Sequence, residues 1–167
     1  VVGHNLKVAW NLTRMHSLKP KESYKVFAHQ IADAIPGSGC DNQRGGWYDM
    51  MERTLKDGEE NHRLVWHDRK AWWQQEQGIL AYYIMAGVYD DKPEYLKFAR
   101  EGTAFYNGWF LDYEEGGIYF NVLANGQPYA LGTERGKGSH SMAGYHSFEL
   151  CYLAAIYTNL LINKQQK

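Results

Sequence analysis

Glu115-Gly116-Gly117-Ile118-Tyr119-Phe120 decides how this chain folds, because it repeats the Gly-Gly-x-Tyr of Gly45-Gly46-Trp47-Tyr48 after roughly seventy residues. Paired glycines permit a tight turn, and the aromatic residues after them suit a short strand. Before the first pair lie two helical patterns. Val8, Trp10, Leu12 and Met15 space themselves as one helix between His4 and Leu18. Pro20 starts a second, which runs to about Ile35 and is stopped by Pro36-Gly37-Ser38-Gly39. Arg44-Gly45-Gly46-Trp47-Tyr48-Asp49 then reads as a turn entering a short strand. After a polar loop, Ala71 to about Val88 is a third helix, which begins with Trp72-Trp73 and carries Leu80 and Ile84 on one side. Pro93 opens a fourth, to roughly Leu111. Asn125-Gly126 supplies a hairpin tip, and about Tyr145 to Asn163 is the last and most apolar helix.

This order of helical pairs and Gly-Gly hairpins predicts an all-α fold, a solenoid or closed toroid, as a single domain over residues 1–167. Five helices leave an inner face unpaired unless a second copy of the chain, as in a homodimer, or the remainder of a longer chain completes it. The opening Val1-Val2-Gly3-His4 has no initiator Met and begins in mid-pattern, so a longer chain is the expectation.

Composition narrows the function. A formal charge of -1 provides no electrostatic footprint for nucleic acid or an anionic membrane, and no apolar run approaches a membrane span. Cys40 and Cys151 form neither a disulfide framework nor a metal-ligand spacing, and reduced thiols in a cytoplasmic setting are expected. Aromatic residues make up 15%, with six Trp and thirteen Tyr, enough to suggest that flat ligand-facing surfaces are needed.

His4, in Gly3-His4-Asn5-Leu6-Lys7, and His146, in Gly144-Tyr145-His146, each follow a glycine and open a helical segment. The positive end of a helix disfavours imidazolium, so such a histidine tends to stay neutral at pH 7 and can accept a proton. Two of them facing one cavity could move a proton onto and off a carbon.

Four stretches together resemble the N-acylglucosamine 2-epimerase and cellobiose 2-epimerase superfamily. Gly3-His4-Asn5-Leu6-Lys7 through Trp10-Asn11-Leu12 is similar to the family's Gly-His-x-x-Glu segment. Trp72-Trp73-Gln74-Gln75-Glu76 resembles its Trp-Trp-x-x-Glu helix, residues 112–128 its hairpin, and residues 137–150 the segment with its second catalytic histidine. The resemblance implies the C-terminal part of an (α/α)6 barrel. It also implies that His4 and His146 exchange acid and base roles in epimerising a sugar at C2 through an enediolate, without metal or cofactor. The substrate would be an N-acylhexosamine, hexose or oligosaccharide. Lys7 departs from the family's Glu: a carboxylate there would raise the pKa of His4, whereas an ammonium lowers it and places positive charge near the enediolate oxygen.

Trp72 and Glu76 are one helical turn apart, so an indole platform and a carboxylate acceptor would meet the sugar together, with Trp73 packing between helices. His140, in a glycine-rich loop, could reach the same mouth. His62 and His67 lack a third metal ligand. Arg44, Arg69 and Arg135 could each contact an acidic sugar, but surface salt bridging is the default for all three, and His16 and His29 carry no signal. Aldose-ketose isomerisation passes through the same enediolate. The alternatives are a glycoside hydrolase or lyase on the same toroid, for which only Glu76 is a convincing acid, and a non-catalytic carbohydrate-binding module.

Overall fold

A helix that is apolar on every side has to be surrounded, and the run from Trp72 to Val88 is buried almost all round. The computed structural model, which describes residues 1–89, 91–138, 141–142 and 144–166, puts this helix at its centre. Among the described residues the helices are α1 (Val2–Leu18), α2 (Glu22–Ser38), α3 (Trp72–Val88), α4 (Glu94–Trp109) and α5 (Tyr145–Gln165). Two-residue strands β1 (Lys70–Ala71) and β2 (Asn121–Val122) pair antiparallel, with Lys70 opposite Val122. Helix α3 is flanked by α1 and α5 and backed by α4, while α2 packs on α1. Helices α2 and α4 meet where Tyr95 Oη donates to Asp33 Oδ1 at 2.7 Å. The result is a layer of α1, α3 and α5 with α2 and α4 behind it.

The repeat seen in the sequence is a repeat of structure. Cys40 bridges to Trp47 and Leu111 to Ile118 across the two turns, whose paired glycines all have positive φ. Asp41 Oδ1 accepts the amides of Gln43 and Arg44, and Asp112 Oδ1 those of Glu114 and Glu115. A lysine clamps each turn from the residues that follow. Lys70 Nζ donates to Asp41 at 2.8 Å and to the Gly45 carbonyl at 2.7 Å, and Lys137 Nζ to Asp112 at 2.7 Å and the Gly116 carbonyl at 3.1 Å. The turn after Arg44 is therefore as expected, but it makes a single bridge rather than a strand.

One further expectation is corrected, the end of α2, and two helices bury only part of their apolar residues. Helix α2 runs through Pro36 to Ser38, because the only bond Pro36 deletes is the one to the Ala32 carbonyl, and Tyr82 Oη donates there at 2.9 Å. On α1 the buried face is Val2, Leu6, Ala9, Trp10 and Thr13, whereas Val8 and Met15 are exposed. On α5 only Leu153 is buried, and Phe148 and Tyr152 are open. Both are edge helices with α3 on one side, so their apolar residues outnumber the neighbours available to cover them. No helix among the described residues is long and apolar enough to cross a membrane.

Candidate active site

His4 lies in the first turn of α1, Trp72 and Trp73 begin α3, and Tyr145 and His146 begin α5; all line one cavity of about 320 Å³. The three helices therefore run parallel, with their positive ends converging on the same space, a field that stabilises developing negative charge. The starts of α1 and α3 are fastened by their neighbours. The Val2 amide donates to the Asp49 carbonyl at 3.2 Å and the Gly3 amide to Gln74 Oε1 at 2.6 Å, while the Trp72 amide donates to the Phe120 carbonyl at 2.9 Å. Gly3 is required, since a Cβ there would come within 2.7 Å of the Gln74 side chain and 2.9 Å of the Trp73 ring.

Both imidazoles lie against one indole, that of Trp73. Ring centroids are 4.9 Å apart for His4 and Trp73, and 5.8 Å for Trp73 and His146. Trp73 is half-buried and packs between α1 and α5 as expected, and it also lines the cavity, where it offers a platform beside Trp72. Trp72 is the more buried of the pair, 3% exposed, with its ring 4.6 Å from Phe120 and edge-on to His146 at 6.0 Å. Lys7 lines the same cavity, with Nζ 3.9 Å from Glu149 and 5.4 Å from the Tyr145 ring centroid. Burial lowers the pKa of His146, Lys7 and His4 lower it further, and Glu149 opposes them.

Glu76 is not beside Trp72 in this cavity. Four residues advance a helix by about 6 Å, which carries Glu76 below the rim. There it is fully buried, Oε1 accepting from Tyr106 Oη at 2.7 Å and Ser147 Oγ at 2.6 Å, and it faces a separate apolar groove with Ile79 and Leu150. Burial pushes its carboxyl above the usual range, although the Ser147 and Tyr106 hydrogen bonds oppose this. His140 lies outside the described residues. Among those described, no group of three His, Cys, Asp or Glu side chains is placed to hold a metal ion.

Several site residues escape a reading of the sequence. Arg69, for which a surface salt bridge is the default expectation, forms its ion pairs inside the cavity wall with its side chain 13% exposed; its Nε and Nη2 both donate to Asp49 Oδ2, and Nη1 donates to Glu134 Oε2 at 3.3 Å. Gln74 joins Asp49 to the start of α1. Gln75 pairs with both backbone groups of Trp47 at 2.7 Å. Gln77 takes a hydrogen bond from Trp10 Nε1 at 2.8 Å and reaches His146 Nδ1 at 3.2 Å and Glu149 Oε2 at 3.3 Å. The available signal was the unbroken polar run Gln74-Gln75-Glu76-Gln77 inside an apolar helix. Four consecutive residues span every face, so some must be buried and find partners.

No protein-family model and no curated protein matches the sequence. Solved structures do match. A D-mannose isomerase superposes with a TM-score of 0.76 at 21% identity, over 92% of this chain and 36% of that one. A cellobiose 2-epimerase from Spirochaeta thermophila gives 0.74 at 15% identity, over 95% and 38%, and one from Bacillus thermoamylovorans 0.68 at 21%, over 93% and 36%. The chain thus has the fold of these proteins, part of an (α/α)6 toroid, and spans little more than a third of their length.

Proposed function

We propose that the chain carries part of the active site of a sugar 2-epimerase or aldose-ketose isomerase, in which His4 and His146 handle the C2 proton and the charge it leaves behind. The observation that carries this reading is the pair of imidazoles in one cavity, both against Trp73, at the starts of parallel helices. A hydrogen beside an aldehyde is weakly acidic; a neutral imidazole removes it, and the converging helix ends and Lys7 favour the enediolate oxygen. The Trp73 indole offers a flat face to the C–H side of a sugar, with Trp72 closing the wall. The substrate class is a hexose, N-acylhexosamine or oligosaccharide with a free reducing end. Likeness in fold to a D-mannose isomerase and to cellobiose 2-epimerases supports this class of reaction. The remaining wall is supplied by the rest of a longer chain or a second copy, in a cytoplasmic setting. Glycoside hydrolysis draws less support, because Glu76 faces away and Asp49 and Glu134 are both engaged by Arg69.

The test is incubation with mannose, glucose, N-acetylglucosamine and cellobiose in deuterated water, followed by NMR of C1 and C2. Deuterium is expected at one of these carbons, and His4→Gln or His146→Gln should each slow its appearance by roughly 10²- to 10⁴-fold. No deuterium with any sugar, or exchange unchanged in both variants, refutes the reading; binding without exchange identifies a carbohydrate-binding module instead.

A further inference from the structure

Trp10 Nε1 can only donate a hydrogen bond, and it lies 2.8 Å from Gln77 Oε1. Glu149 Oε2, an acceptor, lies 3.3 Å from Gln77 Nε2. Both neighbours therefore set the same orientation of this amide, oxygen toward Trp10 and NH₂ toward Glu149. Turned over, it would set donor against donor and carbonyl against carboxylate around a side chain that is fully buried. The second hydrogen of the NH₂ group is left for His146 Nδ1, 3.2 Å away. Nδ1 has then to offer a lone pair. A neutral imidazole that accepts at Nδ1 carries its proton on Nε2, and an imidazolium has no lone pair to offer.

We propose that Trp10 and Gln77 lock His146 in the neutral Nε2–H form, so that it serves as a hydrogen-bond donor to the sugar oxygens while His4 alone carries the proton to and from carbon. This rests on the reading above and narrows it to aldose-ketose isomerisation. Inversion at C2 needs a second proton carrier on the opposite face, which a ring without a lone pair at Nε2 cannot be. The steps balance with one base. His4 takes the C2 proton as the C–H pair forms the C1=C2 bond and the carbonyl pair moves onto O1, beside the Nε2–H donor. The O2 hydroxyl proton passes to O1, the O2 pair forms the C2 carbonyl, and the C1=C2 pair takes the proton back from His4 at C1. Gln77 and Trp10 are positioning residues in this scheme.

The test combines ¹⁵N NMR of histidine-labelled protein, His146 being assigned by its loss in His146→Gln, with product analysis in deuterated water. The expected result at pH 7 is an Nε2–H signature for His146 and ketose as the product. Gln77→Glu, which puts an acceptor against Nδ1, should move the proton to Nδ1, lower ketose formation by about tenfold or more and allow the C2 epimer to appear. Should that variant not fold, Trp10→Phe combined with Glu149→Ala removes both groups that orient the amide and should yield mixed tautomers. Nδ1–H or a charged ring in the native protein overturns the lock, and an epimer as main product beside an Nε2–H ring overturns the single proton carrier. An Nε2–H ring with no exchange on any sugar refutes instead the underlying reaction, and with it the catalytic use of His146.

Discussion

At His146 a cation and a carboxylate compete for the same ring. Burial holds the imidazole below its ordinary value, Lys7 adds to this from α1, and Glu149 pulls the other way from one turn along α5. Removing the cation should therefore raise the midpoint, and removing the carboxylate should lower it. We expect Lys7→Met to shift the NMR titration of His146 upward and Glu149→Gln to shift it downward; the reverse order would mean that Lys7 does not act on this ring. The consequence for chemistry is that His146 is neutral at pH 7, and activity should fall as acid charges it. Sequence alone placed both histidines at helix starts, since a preceding glycine and the onset of apolar periodicity are local features. It gave no hint that Gln77 rather than a carboxylate touches His146, because that contact joins residues 69 positions apart.

Helix α2 shows how one element depends on another. Pro36 leaves the Ala32 carbonyl without its helical donor, and the buried Tyr82 hydroxyl on α3 fills the vacancy. Tyr82→Phe should destabilise the fold by about 1–3 kcal/mol, the cost of an unsatisfied buried acceptor. In a Pro36→Ala background the residue-36 amide can donate to Ala32 itself, so the same Tyr82 change should cost about 1 kcal/mol less. Denaturant unfolding of the four proteins checks this; equal costs in both backgrounds would disconnect the two residues. Proline is a strong local stop signal, which is why the sequence suggested an end near Ile35. The compensation comes from another helix, and no local reading contains it.

Across the whole molecule, the repeated turns tie the helix pairs together through Lys70–Asp41 and Lys137–Asp112. Burial by itself would raise the Asp41 carboxyl, but the Lys70 ammonium and the Gln43 and Arg44 amides hold it below its ordinary value. A depressed carboxyl stabilises the fold above its unfolded value of about 3.9 and loses that contribution as pH falls through the folded value. The melting temperature should thus hold between pH 7 and about 5 and drop on further acidification. Asp41→Asn should flatten this acid limb and, by leaving buried Lys70 unpaired, cost about 3–5 kcal/mol at pH 7; an unchanged limb would exclude the pair as its source. Number, order and approximate bounds of the helices, the seventy-residue repeat and the two histidine-bearing helix starts were already determined by the sequence, because periodicity, glycine pairs and prolines act over a few residues. Which indole faces the cavity, the burial of Glu76 away from it, the capture of Arg69 by Asp49 and the orientation of the Gln77 amide were decided only by tertiary structure. Each depends on the depth and rotation of one helix against another, and those follow from packing between side chains distant in the chain.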